Sequence, residues 1–333
     1  MKILIIIGAR PNYMKVINLL KYPNVKLLHT GQHFSKEMSD DLLDDLEIEP
    51  DYQLNLMSSM QDQKIGEMIM GIGNIINTYK PDFVIVIGDV DSTLAGAIAA
   101  NKCGVKVAHI ESGLRSYDKS MPEEVNRVLV DHISDILFVT EEDGIINLKR
   151  EGISKSYLVG DTLIEYLNSI KDKIKTTKGS YALMTMHRPV NVDTEEGLEN
   201  IRKIINIISR HYKVIFPAHP RTLKNINKYG LKIETISPVS YHKFQSLLSG
   251  CALVITDSGG IQVEASFWDV PCIVWRKKTE RLQALYQGTV TLCNDLDYLV
   301  RLVSKIKKGK YKHSKIEFNN ATDKIISILN TYE

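Results

Sequence analysis

The chain is poor in cysteine and tryptophan, with 4 Cys and 2 Trp in 333 residues. Cys103, Cys251, Cys272 and Cys293 are scattered among apolar neighbours. No CxxC pair occurs, so neither a zinc site nor a disulfide framework is expected. Buried thiols in a reducing cytoplasm are the expectation. Long apolar runs are also missing: none approaches the roughly 18 residues of a spanning helix. The chain opens on an aliphatic strand, not on a basic segment followed by an apolar stretch. A cytoplasmic protein with no membrane partner is therefore expected. Charge of one sign is lacking too. With 42 Lys and Arg against 40 Asp and Glu, the net charge of +2 gives no support for a nucleic-acid partner. The first strand is not followed by GxGxxG, so no nicotinamide or flavin cofactor is expected. No metal cofactor is expected either. The stretch GIGNII beginning at Gly71 sits inside a helical pattern, follows no strand and lacks a third glycine.

What the chain does have is alternation. The length exceeds what one core usually supports, which argues for two domains. Strands are expected at Lys2–Ile7, Val25–His29, Phe83–Ile87, Val105–Ile110, Ile136–Val139 and Tyr157–Val159. A second set is expected at Ala182–Met186, Val214–Pro217, Lys232–Ile236, Leu253–Thr256, Cys272–Trp275 and Val290–Cys293. Helix-period segments such as Asp62–Tyr79 and Asp91–Asn101 lie between them. Aliphatic strands separated by helices imply parallel sheets buried on both faces. The expected fold class is α/β, with two doubly wound, Rossmann-like domains facing across a cleft. Residues 1–170 form the first domain, 171–180 (KDKIKTTKGS) a linker, and 181–314 the second domain. Residues 315–333 carry a last helix, Lys315–Leu329, with return packing onto the first domain as the expectation.

Ligands of this fold class bind beyond the C-terminal strand ends, so those residues carry the functional argument. After the first strand, GARPNYMK supplies Gly8 for a tight turn and Arg10 and Lys15 for an anion. GDVDSTLAG places Asp89 and Asp91 on one side of extended chain. A metal-binding DxD is one reading of the pair; Asp91 as the N-cap of a helix starting at Ser92 is another. Asp89 has no capping role and is the better catalytic candidate. Glu111 ends the next strand. Two readings stand for Glu123: a second catalytic carboxylate, or one half of a Ser120-x-x-Glu123 capping box that pairs with Arg127.

The second half is basic where the first is acidic. His187 and Arg188 follow Ala182–Met186, His219 and Arg221 follow Val214–Pro217, and Arg276 and Arg281 follow Cys272–Trp275. Ser258, Gly259 and Gly260 lead straight into a helix whose N-terminus suits a diphosphate. Glu264, six residues on, is placed for a ribose; the competing reading is a small-residue helix cap.

Taken together, GARPNYMK, TGQH, GDVDSTLA, HIESGLRS, MPEEVNR, MHRPVN and TDSGGIQVEA resemble the non-hydrolysing UDP-N-acetylglucosamine 2-epimerases, a family of GT-B fold. The likeness runs over nearly the whole chain. It implies reversible conversion of UDP-GlcNAc to UDP-ManNAc by elimination of UDP to 2-acetamidoglucal and re-addition. It also implies that Asp89, Glu111, Glu123 and His187 are catalytic and that Arg10, Lys15, Ser258, Gly259, Gly260 and Glu264 hold UDP. Phe244 then matches the aromatic beside the uracil. A homodimer, supply to surface polysaccharides and a second, activating UDP-GlcNAc at Gln32 and Arg188 are implied by the same resemblance. Three departures bear on it: Asn12 replaces the usual Glu, Phe34–Met38 departs after TGQH, and HRPVN is shortened. A hydrolysing relative and a 2-epimerase of a modified UDP-sugar are close alternatives. A GT-B glycosyltransferase is the alternative of another class, and it would gain little from three convergent carboxylates.

Overall fold

The computed structural model describes residues 1–32, 48–317 and 320–332, the Arg10 side chain apart. His33 and the Phe34–Met38 departure lie outside the described residues. Two compact units are formed, Met1–Ser169 with Phe318–Glu333, and Ile170–Glu317.

The first unit holds a sheet of β1 (Ile3–Ile7), β2 (Val25–His29), β3 (Tyr52–Gln53), β4 (Phe83–Ile87), β5 (Lys106–Ser112), β6 (Ile136–Val139) and β7 (Ser156–Leu158). Their order is β3-β2-β1-β4-β5-β6-β7, parallel at every pairing. Chain direction across the sheet reverses between β1 and β4, so the ends of those strands flank the position where this fold class binds ligands. β1 and β4 are buried at every residue, as runs of Ile and Val covered on both faces require.

The second unit holds β8 (Tyr181–Thr185), β9 (Lys213–Ile215), β10 (Leu253–Thr256), β11 (Cys272–Trp275) and β12 (Val290–Cys293), in the order β12-β11-β10-β8-β9. Period-two alternation splits it into two cores. Ala182, Met184, Leu253 and Ile255 pack on one face, and Tyr181, Leu183, Val254 and Cys272 on the other. Here the reversal falls between β8 and β10.

Three expectations are corrected. Lys232–Ile236 is not a strand; only an isolated bridge joins Ile236 to Pro217. Pro217 has no N–H to give a ladder, which stops the pairing. The last helix begins at Ala321, not Lys315, with Asn320 at its N-cap. Its first turn is held from outside, because Glu165 Oε2 accepts from the Thr322 N–H (3.0 Å) and hydroxyl (2.6 Å). Cys103 is only half-buried, whereas Cys251, Cys272 and Cys293 are buried. Burial pushes the Cys251 thiol up to about 12. Among the described residues no helix is long and apolar enough to cross a membrane. Gly71 lies inside the helix Gln61–Tyr79, where an added Cβ would stand 2.8 Å from a Leu54 methyl; close packing explains it.

Candidate active site

In the first unit, β4 is followed by Gly88 at φ +73°, and β5 carries Glu111 at φ +68°, where the register against β6 shifts. A left-handed conformation is unfavourable for a Glu, costing on the order of 1 kcal/mol, and such strain concentrates at functional sites. The two strand ends meet closely. A Cβ on Gly88 would lie 3.3 Å from Glu111 Oε2 and 3.9 Å from Lys15 Nζ. The Glu111 carboxylate is 4% exposed and ion-paired with Lys15, itself buried. Lys15 is thus engaged with a carboxylate of its own unit. Arg10, at the first position of its helix, is described by its backbone alone.

Asp89 is the accessible carboxylate, with a side chain 32% exposed and ion-paired with Arg127. Arg127 comes from the helix Pro122–Ile133 and also donates to Glu124 Oε2 at 2.8 Å. Glu124 is the structural member of the Glu123–Glu124 pair. Its carboxylate accepts from the Ser116 N–H (2.9 Å), the Ser116 hydroxyl (2.9 Å) and the Tyr117 N–H (2.8 Å).

The Ser120–Glu123 capping box does not form. Pro122 opens the helix, the N-cap is Met121, and the Ser120 hydroxyl donates to Asp118 Oδ1 at 2.6 Å. Arg127 pairs at i,i+3 with Glu124, so the expected Glu123–Arg127 pair is absent among the described residues. Glu123 is half-buried, and its carboxylate takes no hydrogen bond from a described residue. Glu123→Gln is therefore expected to leave the melting free energy within about 0.5 kcal/mol of wild type, the range of substitutions that break no structural bond. Thermal melts followed by circular dichroism check this, and an early melt would restore the capping role.

Asp91 is no cap either: the helix runs Asp91–Lys102 from an N-cap at Val90. The capping acceptor is Gln32 Oε1, which takes the Ser92 N–H at 2.9 Å. Asp91 instead accepts from Asn126 Nδ2 at 3.0 Å and from Gln61. Asp89 is thus engaged by Arg127, and Asp91 by amides. Among the described residues no cluster of three or more His, Cys, Asp or Glu is placed to hold a metal.

In the second unit the ends of β8 and β10 are joined by a residue that strand-end reasoning passed over. Asp257 is fully buried and accepts from His187 Nδ1 (2.8 Å), the Arg188 N–H (2.9 Å) and Asn191 Nδ2 (2.8 Å). Burial alone raises a carboxyl pKa; the His187 hydrogen bond and charge, then Asn191 and the Arg188 N–H, outweigh it and hold Asp257 below the ordinary value. His187 is half exposed, and the bond from Nδ1 leaves its Nε2 edge pointing away from Asp257. The only signal for Asp257 was its place directly after β10.

Ser258 is the N-cap of the helix Gly259–Phe267 and makes no side-chain cap bond. A Cβ on Gly259 would stand 2.5 Å from Glu280 Oε1, so glycine is needed for close approach there. Glu264 is buried and receives the Tyr241 hydroxyl at 3.2 Å. Phe244 is half-buried against the core face that includes Val254 and Cys272. Arg276 is committed to Glu280 (2.7 Å) with both side chains buried. Arg281, also buried, donates its N–H to Thr279 Oγ1 at 3.1 Å. His219 Nδ1 accepts from the Arg221 N–H at 3.2 Å as N-cap of the helix Pro220–Lys228. Arg188 Nε donates to the Asp257 carbonyl at 3.1 Å.

A family model described as UDP-N-acetylglucosamine 2-epimerase matches residues 19–330. The chain belongs to the UDP-N-acetylglucosamine 2-epimerase family. A UDP-N-acetylglucosamine 2-epimerase of Methanococcus maripaludis is 40% identical over 337 residues, with 92% of each chain covered. A UDP-2,3-diacetamido-2,3-dideoxy-D-glucuronate 2-epimerase of Pseudomonas aeruginosa is also 40% identical, over 312 residues and 88% of each chain. Among solved structures, the UDP-GlcNAc 2-epimerase of Methanocaldococcus jannaschii, in complex with UDP-GlcNAc and UDP, superposes with a TM-score of 0.89 at 36% identity, covering 100% of each chain. Family membership agrees with the two-sheet GT-B architecture and with strand-end carboxylates in one unit and a glycine-led helix N-terminus in the other.

Proposed function

We propose that the protein interconverts UDP-GlcNAc and UDP-ManNAc without net hydrolysis, by elimination of UDP and its re-addition. The observation that carries this reading is the pair of differently housed carboxylates at adjacent strand ends, Glu111 buried on Lys15 and Asp89 open beside Arg127. Hydrogen at C-2 of the sugar is not next to a carbonyl, so it is not acidic enough for simple removal and return. Elimination solves this. One carboxylate takes the C-2 proton as the C-1 to oxygen bond breaks, leaving 2-acetamidoglucal and UDP. A second group delivers a proton to the opposite face of C-2 as UDP returns to C-1. Two faces need two groups, one to take a proton and one to give it. Glu123, free of structural bonds among the described residues, is the third candidate.

UDP is assigned to the second unit. The N–H groups at Gly259 and Gly260 cradle the diphosphate, Glu264 meets the ribose, Phe244 lies against the uracil, and His187 offsets charge on departing UDP. Arg276 is paired with Glu280, whose carboxylate lies against Gly259, and so shapes this cradle, while His219 caps the helix Pro220–Lys228. Activation by a second UDP-GlcNAc at Gln32 and Arg188 is proposed on the family resemblance; Gln32 Oε1 takes the Ser92 N–H and Arg188 Nε donates to the Asp257 carbonyl. A homodimer is proposed on the family resemblance.

Product analysis tests the reading. Incubation with UDP-GlcNAc is expected to give UDP-ManNAc with the diphosphate linkage intact by phosphorus NMR. Stoichiometric free ManNAc and UDP would establish the hydrolysing reaction, and turnover only with an added acceptor a transferase. A second reading, a 2-epimerase of a 2,3-diacetamido uronate sugar, is favoured by the equal 40% identity to the Pseudomonas relative. The ratio of kcat/KM on the two UDP-sugars decides between them.

A further inference from the structure

We propose that His109 is a positioning residue for the reaction: its ring joins the Gly88 carbonyl to Asp131 and so fixes the turn that presents Asp89 beside Glu111. The inference rests on the proposed epimerase function. It starts from a polar side chain on an interior strand of the sheet, since His109 in β5 is wholly buried. Its Nδ1 lies 2.7 Å from Asp131 Oδ1 and its Nε2 lies 2.8 Å from the Gly88 carbonyl. Both partners accept, so both ring nitrogens donate.

The surroundings permit that arrangement. Asp131 also accepts from the Gly113 N–H (3.0 Å) and from Arg115 Nη1 (2.7 Å). Arg115 in turn forks onto Glu151 at 2.8 and 2.7 Å. Burial would raise the Asp131 carboxyl, but the His109 hydrogen bond and charge and the Arg115 charge outweigh it and hold Asp131 ionised. Asp131, the Arg115 guanidinium and the doubly donating ring thus form a buried network with Glu151 at its partly exposed edge, and one N–H of that network points at Gly88.

The target of that N–H gives the network its bearing on the chemistry. Successive carbonyls of the turn are held by side chains from different elements. Ile87 accepts from Asn12 (3.0 Å) and Thr93 (2.8 Å), Gly88 from His109, and Asp89 from Asn126 (3.0 Å). Gly88 immediately precedes Asp89 and packs over the Glu111 carboxylate, so rotation of its peptide displaces one candidate acid or base and uncovers the other. A misplacement of about 1 Å at reacting groups costs about a hundredfold in rate.

Two conservative variants separate this role from a purely structural one. In His109→Gln the amide nitrogen stands near the former Nε2 and still donates to Gly88. In His109→Asn it stands near Nδ1 and reaches only Asp131. Turnover of UDP-GlcNAc is expected to fall less than about tenfold in H109Q and about a hundredfold in H109N, with KM within about threefold of wild type in both. Equal rates, or a faster H109N, in variants with wild-type circular dichroism would overturn the proposal. A measurement without turnover keeps the two readings apart: nitrogen-15 histidine spectra of the wild type should show one ring with two slowly exchanging N–H protons, lost in H109Q. Absence of such a ring overturns the proposal even in an active enzyme. Its presence in a protein inert towards both UDP-sugars would overturn the proposed reaction, and with it the positioning role, while leaving the hydrogen bonds intact.

Discussion

Glu111→Gln is expected to lower kcat about a thousandfold and to lower the melting temperature, and adding Lys15→Met should recover the melting temperature without recovering kcat. The rate loss is the usual scale for a general acid or base, on the order of 10² to 10⁴. The stability loss has a different origin. Lys15 and Glu111 are both buried and paired. Removing the Glu111 charge leaves the buried Lys15 ammonium without this counter-ion, at a cost of about 3–5 kcal/mol, whereas replacing both by neutral groups is often nearly neutral. Calorimetry and initial rates on the two single variants and the double variant check both parts. A Glu111→Gln protein that melts early yet turns over normally would reduce Glu111 to a counter-ion for Lys15. Lys15→Met alone adds a further contrast: a raised KM would mean that the lysine leaves Glu111 for the diphosphate when substrate binds.

Asp257→Asn should reduce kcat/KM about a hundredfold and destabilise the second unit by about 3 kcal/mol. The buried carboxylate holds His187 and the turn that begins at Arg188, and an amide in its place directs its own N–H groups at existing donors. Losing one well-aimed stabiliser of a developing oxyanion typically costs about 10² to 10³ in rate. The pH dependence has a definite sign. Because its folded-state pKa is lowered, Asp257 contributes stability in full above the ordinary carboxyl value of 3.8 and loses it as pH falls through the folded-state value. The gap in melting temperature between wild type and variant should be widest near about pH 7 and close in acid. A gap that stays constant into strong acid would show that the carboxylate is not ionised in the folded protein.

The strand ends were legible because their runs of Ile, Val and Leu contrast sharply with the polar residues after them; Asp89, Glu111, His187 and Ser258 could be named from that boundary alone. Their partners could not. Lys15 and Glu111 are 96 residues apart, and Asp257 and the His187 N–H are 70 apart, so each pairing depends on strand order and register. Tyr52–Gln53 is too short for any periodicity to show, and the alternation in Lys232–Ile236 is cut short by Pro217. The caps failed for a related reason. Ser120 and Asp91 have the right composition for N-caps, but Pro122 moves one helix start and Gln32, 60 residues away, takes the other N–H. His109 left a sequence signal of another kind, a polar side chain within the expected strand Val105–Ile110.

The central claim is that C-2 loses its proton on one face and gains one on the other while the bond to UDP is broken and remade. The most direct test is to run the reaction from UDP-GlcNAc in deuterated water and examine both UDP-sugars by proton NMR before equilibrium. Deuterium at C-2 of the UDP-ManNAc formed, with UDP still attached, is the predicted result. Epimerisation with the original hydrogen retained at C-2 would contradict it.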